Sequence, residues 1–509
     1  MGWGYCLNSD QKSWGIVLSY ASQGILILSG MIYTPVMIRL IGQSEYGLYQ
    51  LVFSAVGYLN LLGFGFAAAY IRFYSRAKAK NDDNEVSRIN GMFLTIFIVI
   101  AVICCLCGFV MVSNIRLIFS EGLSDEEYET AKILMVIMVF NLALTFPNSV
   151  FEAITSAHER FFFQKLIAVM QNLLNPFLAL PLLLMGYGSV AMVCVTTLLT
   201  VMKLSVNIWF CLNKLNVRFI FSGFRFGLFR EMWGFTFFIF LNQIIDQINW
   251  NVDKFLLGRI SGTEAVAVYS LGGLINTMYL ILSTSVSGVF IPQVNKIVSA
   301  SDDNNELTGL FIKIGRMQFM ILSVVLTGFI FFGRQFMIFW GGEGFSESYY
   351  VALLLIIPVT VPLIQNIGIE IQRAKNKHKA RSIVYFVIAS GNVFISIPLI
   401  KMFGPAGAAA GTAIALTGGN IIFMNWYYHS HIGLDIKLFW KNILGMVRGL
   451  IIPCIVGTFI MLSVPMDNWF VLGAYIILYS AVYAISMYHL GMNSDEKKII
   501  DESLKKSVK

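Results

Sequence analysis

Residues 233–258 read WGFTFFIFLNQIIDQINWNVDKFLLG, with Asn242, Asp246, Asn249 and Asp253 at steps of four, three and four. On an α-helix that spacing puts all four on one face, and Gln243 and Gln247 flank it. The surrounding residues are apolar and numerous enough to cross a bilayer, since about 20 residues rising 1.5 Å each span about 30 Å. A carboxylate in hydrocarbon is costly unless it faces protein or a water-filled cavity, so this helix is expected to line a cavity. The competing reading is a stripe that packs against other helices through polar contacts. Asp246 lies about 11 residues past one end of the span, roughly 16 Å deep. Its position suits a carboxyl that carries a proton or coordinates a cation. Asp253 is a second candidate for ion coupling, although Lys254 and Arg259 stand close enough in sequence for a local ion pair.

A few other charges fall in or at the ends of apolar segments. Lys203 can snorkel to the interface or face a cavity as an anion contact. Arg39 and Arg259 can contact phosphate or anchor helix ends. Glu152 and Glu370 each precede a basic loop, and they read as a salt-bridged gate or as ordinary helix-end pairs. The cysteine cluster at 104–107 has no histidine or carboxylate beside it, so no metal site is expected. His429 and His431 sit beside Trp426 and Tyr427 and read as interfacial. There is no P-loop, G-x-S-x-G, H-E-x-x-H or paired C-x-x-C, and no cofactor is expected. The acids of 114–130, Glu121, Asp125, Glu126, Glu127 and Glu129, read as a solvated face.

These residues must be positioned by membrane helices. Of 509 residues, 57% are hydrophobic and only 13% charged, against about 25% charged in soluble domains. Apolar blocks fall at 14–37, 46–69, 91–113, 131–153, 163–185, 188–210, 233–256, 264–289, 317–335, 349–369, 382–401, 404–426, 446–465 and 469–488. That is about fourteen transmembrane helices in an all-α polytopic membrane protein. The shorter alternating segments of a β-barrel do not occur. The first residues lack a basic region followed by a small-residue cleavage site, so the first span is expected to be retained. The net charge of +8 resides in short loops, which argues against nucleic acid as a partner. Twenty-eight of the 36 Lys and Arg lie in one alternate set of loops and tails, so both termini are expected to be cytoplasmic.

The chain also repeats. A shift of 220 residues aligns Gln23 with Gln243, Arg39 with Arg259, Gly42 with Gly262, Tyr49 with Tyr269, Leu51 with Leu271, and the loop 82–84 with 302–304. A shift of 218 aligns Glu152 with Glu370 and Gly186 with Gly404. The expectation is a duplicated six-span unit, giving two parallel lobes, with spans 13 and 14 outside the repeat. The domains then run 1–212, 213–232, 233–428 and 429–509. The second is an interfacial linker in which Arg218, Arg225 and Arg230 alternate with phenylalanines and face anionic lipid. Prolines within spans, such as Pro147, Pro176 and Pro358, suit helices that bend.

RLIGQSEYGLYQL after span 1, its echo GRISGTEAVAVYSL after span 7, and the count of two six-span lobes plus two helices together resemble the polysaccharide transporters of the multidrug/oligosaccharidyl-lipid/polysaccharide exporter superfamily. That group includes the Wzx-type flippases of O-antigen and capsule repeat units. The resemblance spans nearly the whole chain, and its motif residues here are Gly42, Glu45, Tyr46, Gly47 and Tyr49. In the second copy Ala265, Val266 and Ala267 replace Glu-Tyr-Gly. The resemblance implies a V-shaped pair of lobes in the bacterial cytoplasmic (inner) membrane. It implies movement of undecaprenyl-pyrophosphate-linked oligosaccharides by alternating access, with helices 1, 2, 7 and 8 lining the cavity. The lipid tail would lie in a groove near spans 13 and 14. It implies H+ or Na+ as a coupling ion, membrane lipids as surroundings, and a polysaccharide polymerase and chain-length regulator as partners. In that reading Asp246 and Asp253 serve ion coupling, and Gln23, Asn242, Gln243 and Asn249 line the cavity. Arg39, Lys203 and Arg259 contact the anionic substrate, while Glu152 and Glu370 form the gate. The alternative is a cation-coupled antiporter of drugs or other small molecules. A membrane glycosyltransferase or polymerase would need a large loop domain and an acid–base cluster that the chain lacks.

Overall fold

The computed structural model describes residues 24–507 apart from 26, 81, 120–121, 223–225, 301–302, 376 and 378. Gln23 lies outside the described residues. The described chain is helical and contains no strand. Ten helices among the described residues are long and apolar enough to cross a membrane. The helices that matter below are α1 (Ile27–Ile41), α2 (Gln43–Gly57), α3 (Phe66–Ala79), α4 (Asp83–Ser113), α5 (Asp125–Ala157), α6 (Phe161–Leu184) and α7 (Gly188–Trp209). They continue with α8 (Phe226–Val289), α9 (Asn304–Gly341), α10 (Ser348–Ile364), α11 (Lys379–Leu416), α12 (Ile436–Met446), α13 (Ile451–Ser463), α14 (Trp469–Ser486) and α15 (Ser494–Ser507).

Of the longest helices, α8 holds two expected spans, and α11 holds one and the start of the next. Helix α8 turns at Gly262 (φ 83°, ψ −177°), and α11 turns at Gly404 (φ 54°, ψ −130°). Their repeat mates Gly42 (φ 83°, ψ 169°) and Gly186 (φ 86°) also have positive φ, a region that favours glycine. The offsets read from the sequence thus recur as backbone conformation. Aspartates begin the repeat-related helices α4 and α9: Asp82 accepts the Glu85 N–H and Asp303 accepts the Asn305 N–H.

The chain falls into two compact units, Met1–Ala267 and Val268–Lys509. The repeat-based division would start the second lobe at 233, whereas packing keeps 233–267 in the first unit. The cause is an antiparallel fit between α2 and the first part of α8. A Cβ on Gly47 would overlap the Thr263 carbonyl, one on Gly258 would overlap Leu51, and one on Gly57 would lie 3.0 Å from Gln247 Nε2. Small residues let the two helices approach closely along their length.

Span 2 is not one helix. Past Gly57 it tightens into a 3-10 turn, Tyr58–Gly63, and then passes through Phe64 and Gly65, both left-handed, before α3. Left-handed Phe64 (φ 46°) is strained, because its Cβ crowds the backbone. Its ring packs 4.2 Å from Phe240, centroid to centroid, which holds the break against α8. Irregular backbone at membrane depth survives only when buried in protein or lining a cavity.

In the first unit, part of the linker is a strap over α4. Ile220 donates its N–H to the Ser87 carbonyl (2.9 Å), and Asn90 Nδ2 donates to the Arg218 carbonyl (3.1 Å). A Cβ on Gly91 would overlap the Ile220 carbonyl. Phe219 packs edge-on against Phe151, while Arg218 is exposed. In the second unit, span 14 packs on α9 through Tyr479 on Phe332, and Tyr483 donates to the Met320 carbonyl (2.7 Å), while Gly457 of span 13 lies against Phe331.

Candidate functional site

The polar stripe of α8 packs against span 2 in the first unit. Their register is antiparallel: Gly47 meets Thr263, Leu51 meets Gly258, Gly57 meets Gln247 and Gly65 meets Ile239. Asp253 is wholly buried and faces Tyr58 closely enough to interact electrostatically. Asp246 is exposed. The two carboxylates lie seven residues apart on one continuous helix, yet Asp246 is exposed and Asp253 is buried. Gln243 and Gln247 are partly buried, each with one amide atom lacking a hydrogen bond, Oε1 and Nε2 respectively. Asn242 and Asn249 lie on the same helix, but their side chains lie outside the described residues. Lys254 donates to Gln50 Oε1 (3.3 Å), and Gln50 in turn donates to the Tyr46 hydroxyl (3.2 Å). The stripe therefore offers an accessible carboxyl group and one amide oxygen, Gln243 Oε1, able to accept from a proton donor or face a cation, while Gln247 Nε2 can only donate. Among the described residues, no group of three or more His, Cys, Asp or Glu is arranged to hold a metal ion.

The other charged candidates do not gather around Asp246. Arg39 and Arg259 are exposed at the ends of their spans. Lys203 and Glu152 find each other instead, Nζ to Oε1 at 2.6 Å. Asn148 Nδ2 donates to the same Glu152 oxygen (3.0 Å), and Asn207 Nδ2 donates to Asn148 Oδ1 (2.8 Å). Glu370 pairs with Arg373 one turn along its short helix Ile367–Ala374 (2.7 Å).

Sequence reading missed two carboxylate assemblies. Glu127, expected among solvated acids, accepts hydrogen bonds from Ser44 Oγ (2.6 Å) and Thr263 Oγ1 (2.7 Å) on one oxygen and from the Ser124 N–H (2.8 Å) on the other. It ties the two repeat-related turns to the start of α5, beside a polar depression of about 520 Å³. The S-x-x-E capping box, Ser124 to Glu127, was a legible signal for the last of these bonds. Arg316, counted among the loop cations, is buried. It makes paired 2.7 Å contacts to Glu496 of α15 and donates to the carbonyls of Asn442 and Gly491. Only side chains distant in sequence could reveal either hub.

The turn after span 1, which carries the Gly42–Tyr49 motif, gains a physical meaning from one contact. Glu45 accepts the Ser189 N–H (2.6 Å) at the start of α7, where backbone donors lack helical partners and the helix dipole favours an anion. The second copy has Ala265 in place of Glu45 and so lacks this carboxylate. Glu45→Ala is expected to destabilise the first unit by about 1–2 kcal/mol. Thermal unfolding of the purified protein checks this, and an unchanged midpoint would refute it.

Known proteins place the fold. The chain is similar to a Shigella flexneri protein assigned to O-antigen transport, 20% identical over 404 residues, covering 77% of this chain and 91% of that protein. Its structure resembles that of the lipid II flippase MurJ in an inward closed conformation. The TM-score is 0.71 at 18% identity, covering 93% of this chain and 97% of MurJ. It also resembles an inward-facing multidrug resistance MATE family transporter of the MOP superfamily. That TM-score is 0.66 at 14% identity, covering 84% and 99% of the two chains. At these identities the likeness establishes the fold, an all-α bundle of membrane-length helices. The profile of the polysaccharide biosynthesis protein family matches residues 14–298, more than half of the chain. This polytopic membrane protein therefore belongs to the polysaccharide biosynthesis protein family, with a fold like that of MurJ and the MATE transporter.

Proposed function

We propose that the chain moves undecaprenyl-pyrophosphate-linked oligosaccharide repeat units across the bacterial cytoplasmic membrane by alternating access, supplying O-antigen, capsule or exopolysaccharide synthesis. The observation that carries this reading is the accessible Asp246, presented by a membrane helix packed against a broken span, in a chain of the polysaccharide biosynthesis family. Broken helices and accessible ionisable groups within spans are the features of substrate and ion pathways. In this proposal Asp246 and Asp253 respond to H+ or Na+, and Gln23, Asn242, Gln243 and Asn249 line the path. Arg39, Lys203 and Arg259 contact the anionic substrate, while Glu152 and Glu370 form the gate. Both termini face the cytoplasm, and a polymerase and a chain-length regulator act downstream. Rocking between two access states requires the substrate and ion to bind those states with different affinity.

The test is translocation of a labelled undecaprenyl-pyrophosphate oligosaccharide in proteoliposomes, with and without a pH gradient, for wild type and Asp246→Asn. The expected result is gradient-dependent movement that the variant lowers at least about tenfold, equivalent to about 1.4 kcal/mol. Movement indifferent to both gradient and variant would retain the flippase and remove Asp246 from coupling. Drug efflux with no lipid-linked sugar movement would favour a cation-coupled antiporter, the reading that the MATE-like fold supports.

A further inference from the structure

The ion pair between Glu152 and Lys203 sits on a ladder of two rungs. Helices α5 and α7 run antiparallel there, so Asn148 meets Asn207 one turn away from where Glu152 meets Lys203. The asparagine rung is closed: Asn148 is 4% and Asn207 1% exposed. The charged rung is open, with 24% of the Lys203 side chain and 38% of the Glu152 side chain accessible. Charged atoms within a span do not face hydrocarbon when they are this accessible, so the open rung meets water or polar headgroups.

The two ions are held unequally. Glu152 keeps a second donor, Asn148 Nδ2, which Asn207 fixes in place. Its carboxylate would remain hydrogen-bonded if Lys203 left. Its backbone is also anchored, because Gln164 Nε2 donates to the Glu152 carbonyl and to Thr155 Oγ1. The Lys203 ammonium has three donors and no acceptor, and Glu152 takes one of them. A phosphate ester brings more charge and more acceptor oxygens than one carboxylate, and a lysine ammonium is a good point-charge partner for it.

We infer that Glu152 is a resident stand-in for a lipid-linked diphosphate, which displaces it from Lys203 while Asn148 retains the released carboxylate. This inference rests on the proposed flippase reading and adds to it an exchange of anions on one cation. It gives Lys203 an occupied state and a substrate-bound state, so the substrate does not meet an uncompensated charge inside the span. No covalent step is involved.

The test measures binding of farnesyl diphosphate, a short polyisoprenyl diphosphate, to the full-length protein in phosphatidylcholine nanodiscs. Glu152→Gln keeps the shape and the Asn148 hydrogen bond but removes the competing charge. It is expected to tighten binding about tenfold, and Lys203→Gln to weaken it about tenfold, each equivalent to about 1.4 kcal/mol. The double variant should match Lys203→Gln, because removing the competitor has no value without the cation. Lys203→Arg retains the charge and controls for folding. If both single variants lower the thermal midpoint yet leave affinity within about twofold, the pair is a structural ion pair and the inference fails. If phosphatidylglycerol placed in the nanodiscs displaces farnesyl diphosphate at equal concentration, ordinary lipid phosphate is the occupant and the diphosphate assignment fails. The binding series reads the site alone. Wild-type translocation with a flat binding series rejects the exchange and keeps the flippase. The expected binding series without translocation keeps the site and rejects the flippase.

Discussion

Glu496→Ala is expected to destabilise the second unit by about 3–5 kcal/mol, the cost of leaving a buried charge without its partner. Arg316 is 6% exposed, and its guanidinium meets both Glu496 oxygens at 2.7 Å. The carbonyls of Asn442 and Gly491 take further donors, so this one side chain fastens α9 to α12, to the end of span 14 and to α15. With Glu496 gone those carbonyls remain, but no negative charge does. The measurement is the thermal midpoint in detergent together with limited proteolysis of 494–507, which should become faster. A double replacement by apolar residues, Arg316→Met with Glu496→Leu, should recover much of the loss, because it removes the desolvated charge rather than stranding it. A midpoint within a degree of wild type for Glu496→Ala would show that water already satisfies Arg316.

The same pair predicts a pH dependence. Burial pushes the Glu496 carboxyl up, but the Arg316 hydrogen bonds, the Asn493 N–H and the guanidinium charge together outweigh it, and its pKa lies below the ordinary glutamate value. A depressed carboxylate pKa contributes stability above the unfolded value, about 4.3, and loses it as pH falls through the folded value. Acid should therefore release α15 below about pH 4, while neutral and mildly alkaline conditions leave it fastened.

Gly47→Ala is expected to be the second severe change. A Cβ there would overlap the Thr263 carbonyl and stand 3.2 Å from the Ala267 N–H. Backbone cannot turn aside as a side chain can, so α2 must move off α8. Overpacking of this kind costs about 1–3 kcal/mol. The same displacement disturbs the Glu127 contacts to Ser44 and Thr263 and shifts the register between α2 and the polar stripe of α8. Translocation should fall further than stability. Gly273→Ala is the control: nothing lies within 4 Å of its Cβ position, and replacing a helical glycine should stabilise by about 0.5–1 kcal/mol. Equal midpoints for Gly47→Ala and wild type would mean that α2 and α8 are not held by backbone contact.

Much of the architecture follows from local rules. The lack of charge and the long apolar blocks required membrane helices. The offsets near 220 required a repeat, and Gly42 and Gly262 carry it into shared positive-φ turns. The steps of four, three and four required one polar face on α8. The break of span 2 was less legible. The left-handed Phe64 that separates the 3-10 turn from α3 packs against Phe240, a residue far along the chain.

The sequence by itself determined the class of protein, its repeat and the inventory of charges within spans, because hydrophobicity and helical periodicity act over a few turns. Only the tertiary structure decided which charge meets which. Glu127 finds Ser44 and Thr263 across 83 and 136 residues, and Arg316 finds Glu496 across 180. Lys203 takes Glu152 rather than standing open to an anion. Asp246 and Asp253 lie seven residues apart on one helix, yet one is exposed and the other is buried, a difference that helical spacing does not record. A charge in a span is satisfied by the group that packing brings within about 3 Å, and sequence distance carries no record of that approach.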